Sequence, residues 1–74
     1  RRLDEAVQML RQYLDEEATL PLITALEALK DDPKSEKLLA QAVSAFDGLG
    51  SRQGAVLTYA PYVSIVLSDY PFNW

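Results

Sequence analysis

Charged residues are concentrated in the first half of this chain of 74 residues. Residues 1–37 carry fifteen charged side chains, whereas residues 38–74 carry only three, at Asp47, Arg52 and Asp69. Charged side chains are rarely buried without a partner, whereas an uncharged, apolar segment is stabilised when it is removed from water. We therefore expect the second half to be covered by the first half, by a second copy of the chain or by another protein.

The length of the chain limits how much it can bury. One domain, residues 1–74, is expected, and a domain this small buries only about 60% of the surface that its unfolded chain exposes. Because the sequence contains no Cys and no His, disulfides and zinc sites built from these residues are excluded. Tight helix packing and self-association are left as sources of stability.

Two amphipathic helices are predicted in the first half. Apolar residues recur every three or four positions in the first helix, which we expect to end near Glu17 or Ala18. Thr19 is the predicted N-cap of the second helix, with Pro21 in its first turn. The buried face of this second helix should consist of Leu22, Ile23, Leu26 and Leu29.

A third helix is expected after Asp31, where a proline follows two acids. Asp32 is disfavoured from helical geometry by Pro33 and should end the second helix. The same residue is the predicted N-cap of the third helix, with Pro33 at its first position. Gly48 is the expected left-handed residue that ends it. The predicted apolar face contains Leu39, Ala42, Val43 and Phe46.

The segment after Gly50 has two interpretations. A helix capped by Ser51 would place on one face Val56, Tyr59, Val63, Val66 and Tyr70. Pro61 would kink or break this helix. The alternative is a pair of strands, 55–59 and 62–67, which the β-branched residues favour. We prefer the helix, because the connection between these strands lacks the turn residues of a hairpin.

Together these segments predict an all-α fold. Short connections make successive helices antiparallel neighbours. We expect a small antiparallel bundle of about four helices, the last one kinked or broken near Pro61, and then an extended aromatic C-terminal tail that contains Tyr70, Phe72 and Trp74.

The residue types present do not indicate an enzyme. The commonest nucleophilic mechanisms need Ser or Cys beside a general base, most often His. The clustered acids Asp15, Glu16 and Glu17 project to different sides of a helix, and no glycine pattern matches a phosphate loop. We expect neither catalysis nor a metal or other cofactor.

The net charge of −4 argues against nucleic-acid binding, which needs clustered Lys and Arg to neutralise phosphates. One alternative is a DNA-binding helix-turn-helix in which Arg52, Gln53 and Thr58 begin the recognition helix. The longest uncharged run, residues 53–68, is shorter than the roughly 20 residues that span a membrane. No signal-peptide pattern is visible, and a cytoplasmic location is expected.

Association with proteins is the predicted function. The aromatic residues near the C-terminus either close the core of the bundle or form a docking surface, since Tyr and Trp dominate interface hot spots. We predict a small acidic interaction module (an adaptor, regulator or inhibitor) that forms a homodimer through its uncharged second half. A subunit holding a small apolar ligand between its helices is a further alternative. The predicted contact residues are Tyr62, Tyr70, Phe72 and Trp74, supported by Val63 and Val66.

Overall fold

Five α-helices make up most of the chain in this computed structural model, which describes residues 2–68. They are α1 (Arg2–Tyr13), α2 (Leu20–Asp31), α3 (Glu36–Asp47), α4 (Gln53–Tyr59) and α5 (Tyr62–Ser68). Single 3₁₀ turns, Glu17–Thr19 and Gly50–Arg52, precede α2 and α4. Residues 2–68 contain no β-strand, so the predicted all-α class is confirmed.

The segment after Gly50 is helical, and it forms two helices of seven residues each. Ala60 and Pro61 separate them, and Ala60 lies outside the helical region with φ −138° and ψ 69°. This conformation is the one expected of a residue that precedes proline. The described chain therefore has five helices where the sequence predicted about four.

Helix α2 lies at the centre of the hydrophobic core. It packs along α3 and also against α1, which in turn contacts α4 and α5. The predicted buried face of α2 is confirmed, since Leu22, Ile23, Leu26 and Leu29 are all buried. The uncharged half contributes its own buried side chains, which are Ala42, Leu49, Val56, Ala60, Val63 and Leu67. The first half of the chain thus covers part of the uncharged half.

Helix α1 ends at Tyr13, earlier than the predicted Glu17 or Ala18. Acidic side chains are unfavourable at a helix C-terminus, where the dipole is negative, and three acids follow at residues 15–17. Thr19 is fully buried, and its hydroxyl donates to the backbone carbonyl oxygens of Leu14 and Glu16. Thr19 is the N-cap residue of α2, as predicted, but its side chain makes no capping hydrogen bond to α2 and instead holds the connection between α1 and α2.

The start of α3 also differs from the prediction. Its N-cap is Ser35, whose side-chain oxygen accepts a hydrogen bond from the backbone N–H of Leu38 at 3.2 Å. Asp32 instead follows the end of α2, where its N–H donates to the carbonyl oxygen of Ala28. Asp32 therefore ends α2, as predicted, but the N-cap of α3 lies three residues later, at Ser35.

The left-handed glycine is Gly50 rather than Gly48. Gly48 has φ −70° and its N–H still donates to the carbonyl oxygen of Ser44, so the last turn of α3 continues through it. Gly50 has φ +59°, a conformation that residues with a Cβ atom rarely adopt. The left-handed residue therefore lies two positions later in the sequence than predicted.

Three ion pairs connect different elements of the described chain. Arg11 of α1 lies 2.7 Å from Glu27 of α2, and Lys30 of α2 lies 2.6 Å from Asp4 of α1. The third pair joins Arg52 to Glu16 at 2.9 Å, which attaches the turn before α4 to the connection after α1. Exposed pairs of this kind each contribute little to the free energy of unfolding. Two of the three connect α1 to α2.

The ion pair between Asp4 and Lys30 makes a specific prediction about pH. The hydrogen bond from Lys30, aided by its positive charge, lowers the pKa of Asp4 below its ordinary value of 3.8. A carboxylate with a lowered pKa stabilises the folded state above that value, and this stabilisation is lost as the pH falls through the folded pKa. We therefore expect Asp4→Asn to reduce stability at neutral pH and to match the wild type in strong acid.

Thermal unfolding of both proteins between neutral pH and pH about 2 measures their difference in stability. This difference should shrink as the pH falls below 3.8, the ordinary pKa of an aspartate such as Asp4. The matched control is Asp15→Asn, because Asp15 is exposed and joins none of the ion pairs in residues 2–68. A difference between wild type and Asp4→Asn that stays constant down to pH about 2 would contradict the assignment.

Candidate interaction surface

A group of apolar side chains lies exposed where α1 meets the corner between α4 and α5. Tyr13 of α1 stacks on Tyr59 of α4, with ring centroids 4.9 Å apart and an angle of 10° between the rings. Both rings remain in contact with solvent, since Tyr13 is 50% exposed and Tyr59 is 39% exposed. Ile65 of α5 is 51% exposed. Together with Met9 and Pro61, these three residues define what we call the aromatic surface.

A groove of about 330 Å³ opens within the aromatic surface, and we call it the α1–α5 groove. Its floor contains two small buried residues, Ala6 of α1 and Ala60 before Pro61. Met9 lines it on the side of α1, and Tyr59 and Ile65 line it on the opposite side. Small residues between larger apolar ones leave a recess that an apolar side chain of another molecule can fill.

One end of the α1–α5 groove is charged. Arg2 and Glu5, on consecutive turns of α1, both line it. The guanidinium carbon of Arg2 lies 6.0 Å from the ring centroid of Tyr62, at the outer limit of a cation–π contact. The groove therefore combines an apolar body with one positive and one negative group at its end.

The structure places the predicted contact residues in different environments. Tyr62 is half-buried and lines the α1–α5 groove. Val63 is fully buried in the core, and Val66 is half-buried and packs against the core. The remaining three predicted residues, Tyr70, Phe72 and Trp74, lie outside the described residues.

Sequence reasoning missed most of the aromatic surface. Tyr59 was assigned to the apolar face of the last helix, but it is exposed and stacks on Tyr13. Pro61 causes this difference, because the break at Ala60 and Pro61 turns α5 away from the direction of α4. The exposure of Ile65 could have been predicted, since it is a large apolar residue that lies off the predicted apolar face.

A second groove, the α3–α5 groove, has a volume of about 370 Å³. It is lined mainly by apolar residues of three helices, among them Val43, Phe46, Leu57 and Leu67. Leu57 is 36% exposed there. This groove lacks the stacked tyrosines and the charged end of the first, and we regard it as secondary.

No group of three or more acidic side chains within residues 2–68 comes close enough together to hold a metal ion. Asp4 and Lys30, whose pKa values move in opposite directions because each stabilises the other's charge, form a surface ion pair outside the α1–α5 groove. The groove offers apolar contact, stacking and two opposite charges.

Across residues 2–68, no helix has the length and apolar character needed to cross a lipid bilayer. Comparison of the whole chain with protein-family models, with curated proteins and with solved structures finds no match in any of the three.

Proposed function

We propose that this protein is a small helical interaction module that binds another protein, its own second copy included, through the aromatic surface. The observation that carries the proposal is the exposed stack of Tyr13 on Tyr59 beside the α1–α5 groove. Stacked tyrosines give a large, rigid contact area at a low entropic cost, and such residues are enriched at the centres of protein interfaces.

The arrangement of α4 and α5 supports this proposal. We infer that the two helices act as one bent unit, equivalent to the kinked last helix of an antiparallel bundle. Backbone hydrogen bonds run through the bend, from the N–H of Ala60 to the carbonyl of Val56 and from the N–H of Val63 to the carbonyl of Ala60. The bend brings Tyr59 and Ile65 to the same groove.

The two alternative functions receive less support. In a helix-turn-helix, Arg52 would contact DNA, but its side chain is paired with Glu16, and α4 is only seven residues long. A small apolar ligand would occupy the α1–α5 groove, whose volume of about 330 Å³ is close to the lower limit of about 300 Å³ for such sites. A protein side chain fits a recess of this size better.

Site-specific photo-crosslinking tests the proposal. We expect p-benzoylphenylalanine in place of Tyr13, which is half exposed and stacks on Tyr59, to give discrete covalent adducts in cells of the native host. The matched control carries the same group in place of Leu20, which is 42% exposed but lies in α2, outside the aromatic surface. Absence of adducts from position 13, or the same adducts from both positions, would overturn the proposal.

A further inference from the structure

We infer that the partner of the aromatic surface is a second copy of this chain, and that a two-fold axis places Ile65 of each copy in the α1–α5 groove of the other. This inference rests on the proposed function and specifies its partner. A two-fold interface must be complementary to itself, because the same patch of each copy forms both sides.

Shape provides the first argument. Ile65 projects from α5 with half of its surface exposed, and it forms one wall of the groove that it would fill in the partner. Ala6 and Ala60 are 3% and 1% exposed and form the floor, so the groove is deepest between two larger apolar walls. A projecting aliphatic side chain directly beside an apolar recess is the minimum that a self-complementary patch requires.

Charge provides the second argument. The charged end of the groove carries Arg2 and Glu5, which have opposite signs and lie three residues apart on α1. When two copies of α1 meet antiparallel across a two-fold axis near this end, Arg2 of each copy faces Glu5 of the other. Such complementary rim charges set the register of an interface and exclude other partners more than they add affinity.

The size of the aromatic surface indicates a weak dimer. A fully exposed aromatic side chain offers about 150–250 Å², so the exposed parts of Tyr13 and Tyr59 supply at most roughly 200 Å² per copy. Ile65, Met9 and Pro61 bring the apolar area to about 400 Å² per copy at most, or about 800 Å² in a dimer before the rim is added. This is below the roughly 1,200–2,000 Å² of stable specific interfaces and in the range of weak, transient ones. We therefore expect a dimer that assembles only at high protein concentration.

Sedimentation equilibrium from about 10 µM to about 1 mM tests the inference, because a weak dimer dissociates at the lower of these concentrations and assembles at the higher. The wild type should pass from one copy to two across this range. Ile65→Asp should remain a single copy throughout, since a carboxylate cannot enter the apolar groove without losing its hydration. Leu57→Asp is the matched control, because Leu57 is also exposed but lies in the α3–α5 groove, and it should dimerise as the wild type does.

Circular dichroism of each variant establishes that it is folded before its mass is interpreted. A charge exchange then tests the register. Arg2→Glu should weaken the dimer roughly tenfold, because two acidic residues would face each other, and Arg2→Glu combined with Glu5→Arg should restore most of the affinity. A double variant as weak as the single one would overturn the two-fold arrangement, as would a folded Ile65→Asp variant that still dimerises.

The outcomes also separate this inference from the proposed function. A wild type that remains a single copy at about 1 mM overturns the second-copy inference, because even a weak specific interface would be populated there. The proposed function survives that result if position 13 still forms adducts with a different protein. Loss of both the dimer and the adducts overturns both.

Discussion

Replacing Leu26 with alanine is expected to lower the free energy of unfolding by about 2–5 kcal/mol, a large fraction of the stability of so short a chain. Leu26 is fully buried on α2, the helix that contacts both α1 and α3. Its removal would leave a cavity at the centre of the core. The free energy of unfolding of a folded protein is about 0.05–0.15 kcal/mol per residue, so a chain of this length has a total of only about 4–11 kcal/mol.

Urea denaturation followed by circular dichroism measures this loss, at a protein concentration low enough to keep the chain as single copies. The matched control is Leu20→Ala, which makes the same chemical change on the same helix at a position that is 42% exposed. A change within about 0.5 kcal/mol is expected for the control. Equal losses for the two variants would contradict the assignment of α2 as the centre of the core.

The second large effect is expected at Val63, which the sequence identified as a residue supporting the interface. Val63 is fully buried in the core of the folded chain, whereas Ile65, two positions later in the same helix, is 51% exposed. Val63→Ala removes two buried carbon atoms and leaves a small cavity, and it should cost about 2–3 kcal/mol of stability. Its effect on dimerisation should be small where the protein is still folded.

The opposite result is expected for Ile65→Ala, which should leave the free energy of unfolding within about 0.5 kcal/mol while weakening self-association. For each of the two variants, urea denaturation measures the free energy of unfolding and sedimentation measures the dissociation constant of the dimer. If Val63→Ala weakened the dimer and left stability unchanged, Val63 would be a contact residue and the described packing of α5 would be wrong.

The helices could be predicted from the sequence because their apolar residues recur at helical spacing. The four apolar positions of α2 show this best, since all of them are buried. The helix ends were harder to predict, because several residues near each end can cap a helix. Asp32 and Ser35 both have suitable side chains, as Gly48 and Gly50 both tolerate a left-handed conformation. Which one is used depends on how neighbouring helices pack.

The ion pairs show why long-range contacts were missed. Arg11 lies four residues before Asp15, and Glu27 three before Lys30, spacings that favour pairs within one helix, but in the structure Arg11 pairs with Glu27 across two helices. Local pairs contribute only about 0.2–0.5 kcal/mol, so the packing of α1 on α2 easily replaces them. Sequence spacing alone does not contain the relative positions of two helices.

The candidate site was predictable only in part. The concentration of uncharged residues in the second half indicated an association surface, and Tyr62 does line the groove. The contribution of α1, through Met9 and Tyr13, could not be inferred because the sequence places both on a helix whose apolar face is assigned to the core. Tyr13 stays half exposed although α1 packs against α2, α4 and α5.

The contact between α1 and α5 has a practical consequence for anyone attaching a tag or a fluorophore to this protein. Arg2 lines the α1–α5 groove, so a fluorophore attached to a cysteine introduced at position 2 would lie at the groove and compete with whatever binds there. Ser51 is a better attachment point, since it is exposed in the turn before α4 and does not line the groove. A reporter at that position would leave the α1–α5 groove accessible.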